Sequence, residues 1–231
     1  MIEVEMRGVL TPQEYASLKD TLSRDGTFVK TFTRFNLLYR DKRRLEPRDF
    51  SSKNGFDLKC RVTAKESELV VKLGNEASAD REEIEVTMPK QEFTHAVDFL
   101  RALGYSSCLA TLRMTERYMY DGVEFSLVKS GKLSEKVEAE DKNIYYEAEI
   151  AAEKDAALDA KRKIVAVLAK LNLKVLKEHG DDIMQAGGDP SMKSDASYYS
   201  LIDAINNTID VFMDTKTEEG MKTIERAMKV L

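Results

Sequence analysis

Cysteine and histidine are both scarce. The 231 residues hold two of each. Cys60 and Cys108 sit in unrelated contexts, so free thiols and a reducing, cytoplasmic setting are expected rather than a disulfide framework. His95 and His179 lie far apart, which leaves neither a His-centred metal motif nor a Ser-His-Asp arrangement. No apolar run approaches the ~20 residues that span a bilayer. The N-terminus offers no signal-peptide core, because Glu3, Glu5 and Arg7 interrupt it at once. An excess of positive charge is missing too: Lys and Arg total 36 against 41 Asp and Glu, a formal net charge of -5. General binders of nucleic acid or membrane surfaces are normally basic, so neither role is expected. There is no internal repeat and no low-complexity tract.

The chain does hold enough apolar residues for a core, at 42% hydrophobic with 9 Phe and 9 Tyr. Its length suits one large or two small domains. From Ile2 to Val9, apolar and charged residues alternate, which is the period of a strand. Thr11-Pro12-Gln13-Glu14 opens a helix, with Thr11 as N-cap, Pro12 at the first position and Glu14 completing a capping box. Tyr15, Leu18 and Leu22 form its apolar stripe. Strands follow at 27–39, 57–64, 68–73 and 81–88. Pro89 opens a second helix, with Phe93, Val97, Leu100 and Leu103 on one face and Gly104 as its C-terminal cap. Asp121-Gly122 joins strands 109–120 and 123–129 as a hairpin, and Asn143 to Ile150 is the last strand. A long helix is expected over Ala151 to Leu171, and a loop over Asp181 to Ala196. Two amphipathic helices then end the chain, one from Tyr198 to Phe212 and one from Met221 to Leu231. The class is therefore α+β: eight antiparallel strands that close or nearly close, flanked by helices.

Charges recur inside these strands. Lys59 and Arg61 share a face opposite Leu58, Cys60 and Val62, and Lys72 opposes Val71 and Leu73. Arg81, Glu83 and Glu85 oppose Ile84, Val86 and Met88. Arg113 and Arg117 oppose Leu112, Met114 and Tyr118, while Glu147 and Glu149 oppose Tyr146, Ala148 and Ile150. Any one such strand fits a one-sided sheet with its charges in water. Taken together in a closed sheet whose apolar outside is covered by helices, the charged faces must line the inside. Such a lining suits a polyanion together with a divalent cation, because Arg binds phosphate bidentately and paired carboxylates hold hard ions.

Glu3-Val4-Glu5-Met6-Arg7 resembles the ExExK signature of the CYTH superfamily, the triphosphate tunnel metalloenzymes. The resemblance continues through Lys59, Arg61, Lys72, the Arg81 to Glu85 strand, Arg113 and the Tyr146-Glu147-Ala148-Glu149 strand. It implies an eight-stranded antiparallel β-barrel, a tunnel domain spanning 1–178; residues 179–231, beyond the part that matches, are expected as a helical extension packed on the same domain. The implied activity is metal-dependent hydrolysis of a triphosphate or polyphosphate. Arg7, Lys59, Arg61, Lys72, Arg81, Arg113 and Arg117 would bind phosphate. Glu3, Glu5, Glu147 and Glu149 would hold Mg2+ or Mn2+, and Glu3, Glu5 and Arg61 would be catalytic. The alternatives are a class IV-type adenylyl cyclase and a non-catalytic polyphosphate or nucleotide sensor, as a monomer or homodimer.

Three departures stand out. Arg7 replaces the signature's Lys, Val128 occupies the place of an inward Asp on the next-to-last strand, with Ser126 and Glu124 nearby, and no His precedes the signature. Lys129 falls on the apolar parity of its strand and is expected outside the tunnel. A basic cluster, Arg40, Lys42, Arg43, Arg44 and Arg48, reads as a solvated loop, with guidance of an RNA 5′ end as the other reading.

Overall fold

The computed structural model describes residues 2–39, 56–73, 79–131, 139–189, 192 and 212–231. Strand β1 (Ile2–Val9) leads to helix α1 (Pro12–Asp25), then β2 (Thr27–Tyr39), β3 (Phe56–Thr63), β4 (Glu66–Leu73) and β5 (Asp80–Pro89). Helix α2 (Phe93–Ala102) precedes β6 (Ser107–Tyr120), β7 (Val123–Gly131) and β8 (Ala139–Ala152). Helices α3 (Ala157–Lys170) and α4 (Gly180–Gln185), a short strand β9 (Phe212–Asp214) and helix α5 (Glu218–Val230) follow. The architecture is α+β. No helix of the described residues is long and apolar enough to cross a membrane.

Every strand pairing is antiparallel, in the order β2-β3-β4-β5-β1-β8-β7-β6, and β6 pairs back to β2 through a ladder from Cys108 to Met119. The eight strands thus close into a ring. β9 is a ninth strand that the sequence does not announce. It pairs with Ser107–Leu109 of β6, beyond the point where β7 ends with Gly131 opposite Leu112.

Period-two alternation gives each strand one face inside the ring and one outside, and the apolar faces point out. Two cores lie between ring and helices. One joins Met6, Phe125, Leu127 and Tyr146 to Leu18 and Leu22 of α1 and Ile164 and Leu168 of α3. The other joins Phe35, Leu37, Cys60 and Leu112 to Phe93, Val97 and Leu100 of α2 and Ile224 and Ala227 of α5. Helix α5 therefore covers the sheet. Cys60 and Cys108 are buried free thiols.

Local signals behave as read. Thr11 Oγ1 accepts from Glu14 N at 3.2 Å, and Thr11 N donates to the Glu14 carboxylate at 2.7 Å. Asp121 and Gly122 have φ of 50° and 71°, the left-handed pair a tight hairpin turn requires.

Several boundaries differ from expectation: β8 runs Ala139–Ala152 rather than Asn143 to Ile150, and α5 starts at Glu218 rather than Met221. Helix α3 starts at Ala157 rather than Ala151, because Ala151 and Ala152 still pair with Glu3 and Ile2 of β1. The stretch expected as a loop from Asp181 contains α4, whose Ile183 is buried and whose Asp182 accepts from Lys161 Nζ at 2.9 Å. Phe212, expected at a helix end, belongs to β9. The rest of the Tyr198 helix and the basic cluster from Arg40 to Arg48 lie outside the described residues.

Candidate functional site

The inward faces enclose a cavity of ≈ 370 Å³. Glu3, Glu5 and Arg7 reach it from β1, Lys59 and Arg61 from β3, and Lys72 from β4. Arg113 and Arg117 reach it from β6, and Glu147 and Glu149 from β8. β2 adds Lys30, Phe32, Arg34, Asn36 and Leu38.

Charge around the ring is segregated. The adjacent strands β6, β2 and β3 supply Arg113, Arg117, Lys30, Arg34, Lys59 and Arg61, a cationic wall. The adjacent strands β4, β5, β1 and β8 supply Glu66, Glu68, Glu83, Glu85, Glu3, Glu5, Glu147 and Glu149, an acidic wall. Two cations stand within the acidic wall, Arg7 on β1 and Lys72 on β4. Between β8 and β6, β7 contributes Ser126 and Val128 to the lining.

Register decides which carboxylates meet. β1 lies between β5 and β8, with Glu5 opposite Glu149 and Arg7 opposite Glu147. Carboxylate oxygens of Glu3, Glu5 and Glu149 all lie within 4.8 Å of one another. Glu147 instead faces cations, 3.3 Å from Arg7 Nε and 3.7 Å from Arg113. Arg7 also pairs with Glu5, and Lys72 pairs with Glu3, with Glu83 at 2.9 Å and with Glu5 at 3.5 Å.

The crowding shows in the ionisation of these groups. Burial, and then repulsion from Glu5, pushes the Glu3 carboxyl up to about 7. Burial, followed by Glu3 and Glu5, pushes Glu149 up to about 9. Burial also opposes the charge on Glu5, but Arg7 and Lys72 hold it below the usual carboxylate range. On the other wall, burial brings Lys59 down to about 7 against the pull of Asp57, with Lys72 and Arg61 adding repulsion. Arg34 falls to about 10 through burial and then Arg61.

Three converging carboxylates form an oxygen-only donor set, which suits a hard divalent cation such as Mg2+ or Mn2+. The cationic wall suits an anion. The buried Nε groups of Arg34, Arg113 and Arg117 have no hydrogen-bond partner among the described residues, and neither do Ser126 Oγ and Tyr145 OH. A buried donor without an acceptor is costly, and a phosphate oxygen supplies one.

Of the residues singled out in the sequence, Arg81 does not line the cavity. Its guanidinium donates to Asp57 at 2.8 Å and to the Lys72 carbonyl at 3.0 Å, bracing β3, β4 and β5. Lys129 faces outward, its ammonium 4.5 Å over the Tyr15 ring. Sequence reasoning passes over Lys30 and Arg34, although their parity opposite Phe35, Leu37 and Tyr39 carries the signal. It also passes over Glu68, which lies 3.7 Å from both Arg34 and Arg61.

No protein-family model matches the chain, and no curated protein matches it. Solved structures do. A Pyrococcus horikoshii protein is 23% identical and covers 75% of this chain and 92% of its own, with a TM-score of 0.57. A proposed adenylate cyclase from Vibrio parahaemolyticus is 12% identical and covers 88% and 98%, with a TM-score of 0.55. HpAC1 of Hippeastrum, a proposed adenylyl cyclase with a dominant triphosphatase activity, is 15% identical and covers 84% and 99%, with a TM-score of 0.51. At these identities the likeness is one of fold. The chain shares the fold of these structures, an antiparallel ring of strands flanked by helices.

Proposed function

We propose that the chain is a metal-dependent triphosphatase acting on tripolyphosphate or on a nucleoside or other organic triphosphate. The observation that carries this reading is the segregated lumen: a cationic wall, in which the Nε atoms of Arg34, Arg113 and Arg117 lack a hydrogen-bond partner among the described residues, faces a converging set of three carboxylates. In this reading Arg34, Lys59, Arg61, Arg113 and Arg117 receive the non-bridging phosphate oxygens, which spreads the charge that builds up in phosphoryl transfer. Glu3, Glu5 and Glu149 would hold Mg2+ or Mn2+, which would supply charge neutralisation for the phosphates and a Lewis acid for water. Glu5, kept ionised by Arg7 and Lys72, orients that water as an acceptor. Burial inside the ring strengthens each of these interactions relative to bulk water.

The single experiment is a substrate panel with Mg2+ and Mn2+, measuring phosphate release from tripolyphosphate, ATP and other triphosphates. Release that disappears in Glu5→Ala supports the reading, and no release from any triphosphate sinks it. A second reading, a class IV-type adenylyl cyclase, draws on an apolar pair in the same lining. Leu38 and Leu109 face each other across β2 and β6, next to Asn36, whose amide donates to Thr111 Oγ1 at 3.2 Å. Such a patch suits a nucleobase, and formation of cyclic AMP from ATP would favour this reading. Tight binding of triphosphate without turnover would favour a sensor.

A further inference from the structure

Lys72 lies inside the acidic wall with only 5% of its surface exposed. Its ammonium contacts Glu3, stands 2.9 Å from Glu83 and stands 3.5 Å from Glu5. Two of these three partners belong to the carboxylate set that converges with Glu149. A lysine ammonium and a divalent cation are both compact, strongly hydrated positive charges that seek carboxylate oxygens. At contact distance they repel each other and compete for the same lone pairs. Lys72 also has somewhere else to go. Glu83, 2.9 Å from its ammonium, lies 3.7 Å from Arg61 of the cationic wall, so Lys72 stands at the border between the two walls.

Taking Glu3, Glu5 and Glu149 as the metal-holding set, we propose that Lys72 is an internal counterion that competes with the metal. In the metal-free ring its ammonium neutralises Glu3, Glu5 and Glu83. When a divalent cation enters, Lys72 gives up Glu3 and Glu5 and turns its charge to the anion lying against the cationic wall. Metal and anion then reinforce each other through one residue. The metal releases Lys72, and the anion gives the released ammonium a new partner. Linkage makes this reciprocal, so an anion must tighten metal binding by the same factor. Lys72 is therefore a positioning residue for both ligands.

The opposite reading is that Lys72 only holds the carboxylates in place. The two predict opposite signs. Mn2+ is titrated at one fixed pH into the wild-type protein and into Lys72→Met, with free Mn2+ read by electron paramagnetic resonance. Lys72→Met should bind Mn2+ tighter by about tenfold or more, while Lys72→Arg, which keeps the charge, stays near wild type. Sulfate, a weak chelator, should tighten Mn2+ binding several-fold in wild type and less in Lys72→Met. Should Lys72→Met fold only with metal present, the Mn2+ dependence of its thermal unfolding gives the same comparison. Equal or weaker Mn2+ binding by Lys72→Met overturns the proposal and leaves the metal site standing. No Mn2+ binding by either protein overturns the metal site and the proposal together, whatever the phosphate-release assay returns.

Discussion

Replacing Glu149 with Gln should make the metal-free protein more stable while weakening its hold on a divalent cation. Burial, and then Glu3 and Glu5, raises the Glu149 carboxyl from 4.5 to about 9. A carboxyl raised in the folded state contributes its full stability below the unfolded value and loses it as pH climbs through the folded one. Glu149 therefore weighs against folding increasingly from pH 4.5 up to about 9. The size follows from the geometry. Ionising Glu149 beside carboxylate oxygens within 4.8 Å would cost roughly 3.5 kcal/mol per pair of full charges at an effective dielectric of about 20, so the folded chain keeps Glu149 largely protonated at pH 8 and forgoes the ionisation that the unfolded chain gains. Arg117 near Glu149, with Arg7 and Lys72 beside Glu5, offsets part of this and leaves about 2–3 kcal/mol. An amide keeps the shape and removes the titration. For a chain of this size each kcal/mol moves the Tm by about 2–4 °C, so Glu149→Gln should melt roughly 5–10 °C higher at pH 8 in chelator. Differential scanning calorimetry from pH 5 to pH 8 measures it. The gain should shrink towards pH 5, and saturating Mg2+ should reverse the order, because only wild type offers three carboxylates, an amide oxygen being a weaker, uncharged ligand. A variant no more stable than wild type at pH 8, or a gain that ignores pH, would refute the crowding of these carboxylates.

Metal binding must drive protons from Glu149 and part of a proton from Glu3, whose carboxyl sits at about 7. Mg2+ affinity should therefore weaken as pH falls from about 9 towards 6, and calorimetric titration in buffers of different ionisation heat should count the protons released. Heats that do not depend on the buffer near neutral pH contradict the assignment. Arg61→Ala should raise the KM for tripolyphosphate about tenfold or more, the worth of one charge-assisted contact. Its Tm should change little, because Glu68 and Glu83 keep Arg34 and Lys72 as neighbours; an unchanged KM removes Arg61 from the site. Gly8→Ala should lower the Tm by several degrees, because a Cβ there collides with the Lys174 carbonyl oxygen and the Tyr146 ring. Circular dichroism melts check this, and an unshifted Tm would mean that β1 does not pass that close to the loop after α3.

Inside and outside are legible wherever a strand alternates cleanly, because period two is a local property. Glu3, Glu5 and Arg7 face one way and Val4 and Met6 the other without any knowledge of neighbours, and the cavity lining agrees. β2 is harder to read. Its first half, Thr27 to Phe32, has no clean apolar face, so Lys30 and Arg34 are not recognised even though their parity is right. Partners across strands are not legible at all. That Glu149 joins Glu3 and Glu5 while Glu147 goes to Arg7 and Arg113 depends on the β1–β8 register. Arg81 shares its face with Glu83, yet Asp57 takes its guanidinium at 2.8 Å. The β8–α3 boundary fails for a related reason. Ala151 and Ala152 are good helix formers, and the ladder to β1 overrides that propensity. A three-residue strand such as β9 carries too few residues to show any period.

Charge segregation arises from ring order rather than chain order. β1 inserts between β5 and β8, so acidic strands from both ends of the chain become neighbours, while β2 bridges β3 and β6 to unite the basic ones. A mixed lumen would neutralise itself pair by pair and leave no net field to hold a ligand. Segregation sets two walls of opposite sign face to face, with Arg7 and Lys72 inside the acidic one and 3.7 Å contacts between the walls at Arg34–Glu68, Arg61–Glu68, Arg61–Glu83 and Arg113–Glu147. The apolar cores outside the ring and their helices stabilise the closed sheet independently of the lumen, so the repulsion within each wall can persist until ligands relieve it. In the proposed function a polyanion would relieve one wall and a divalent cation the other, each more fully with the other present. The ring is thus held together from outside while its lumen sets two walls of opposite charge face to face, the arrangement that the proposed metal and phosphate pair would use.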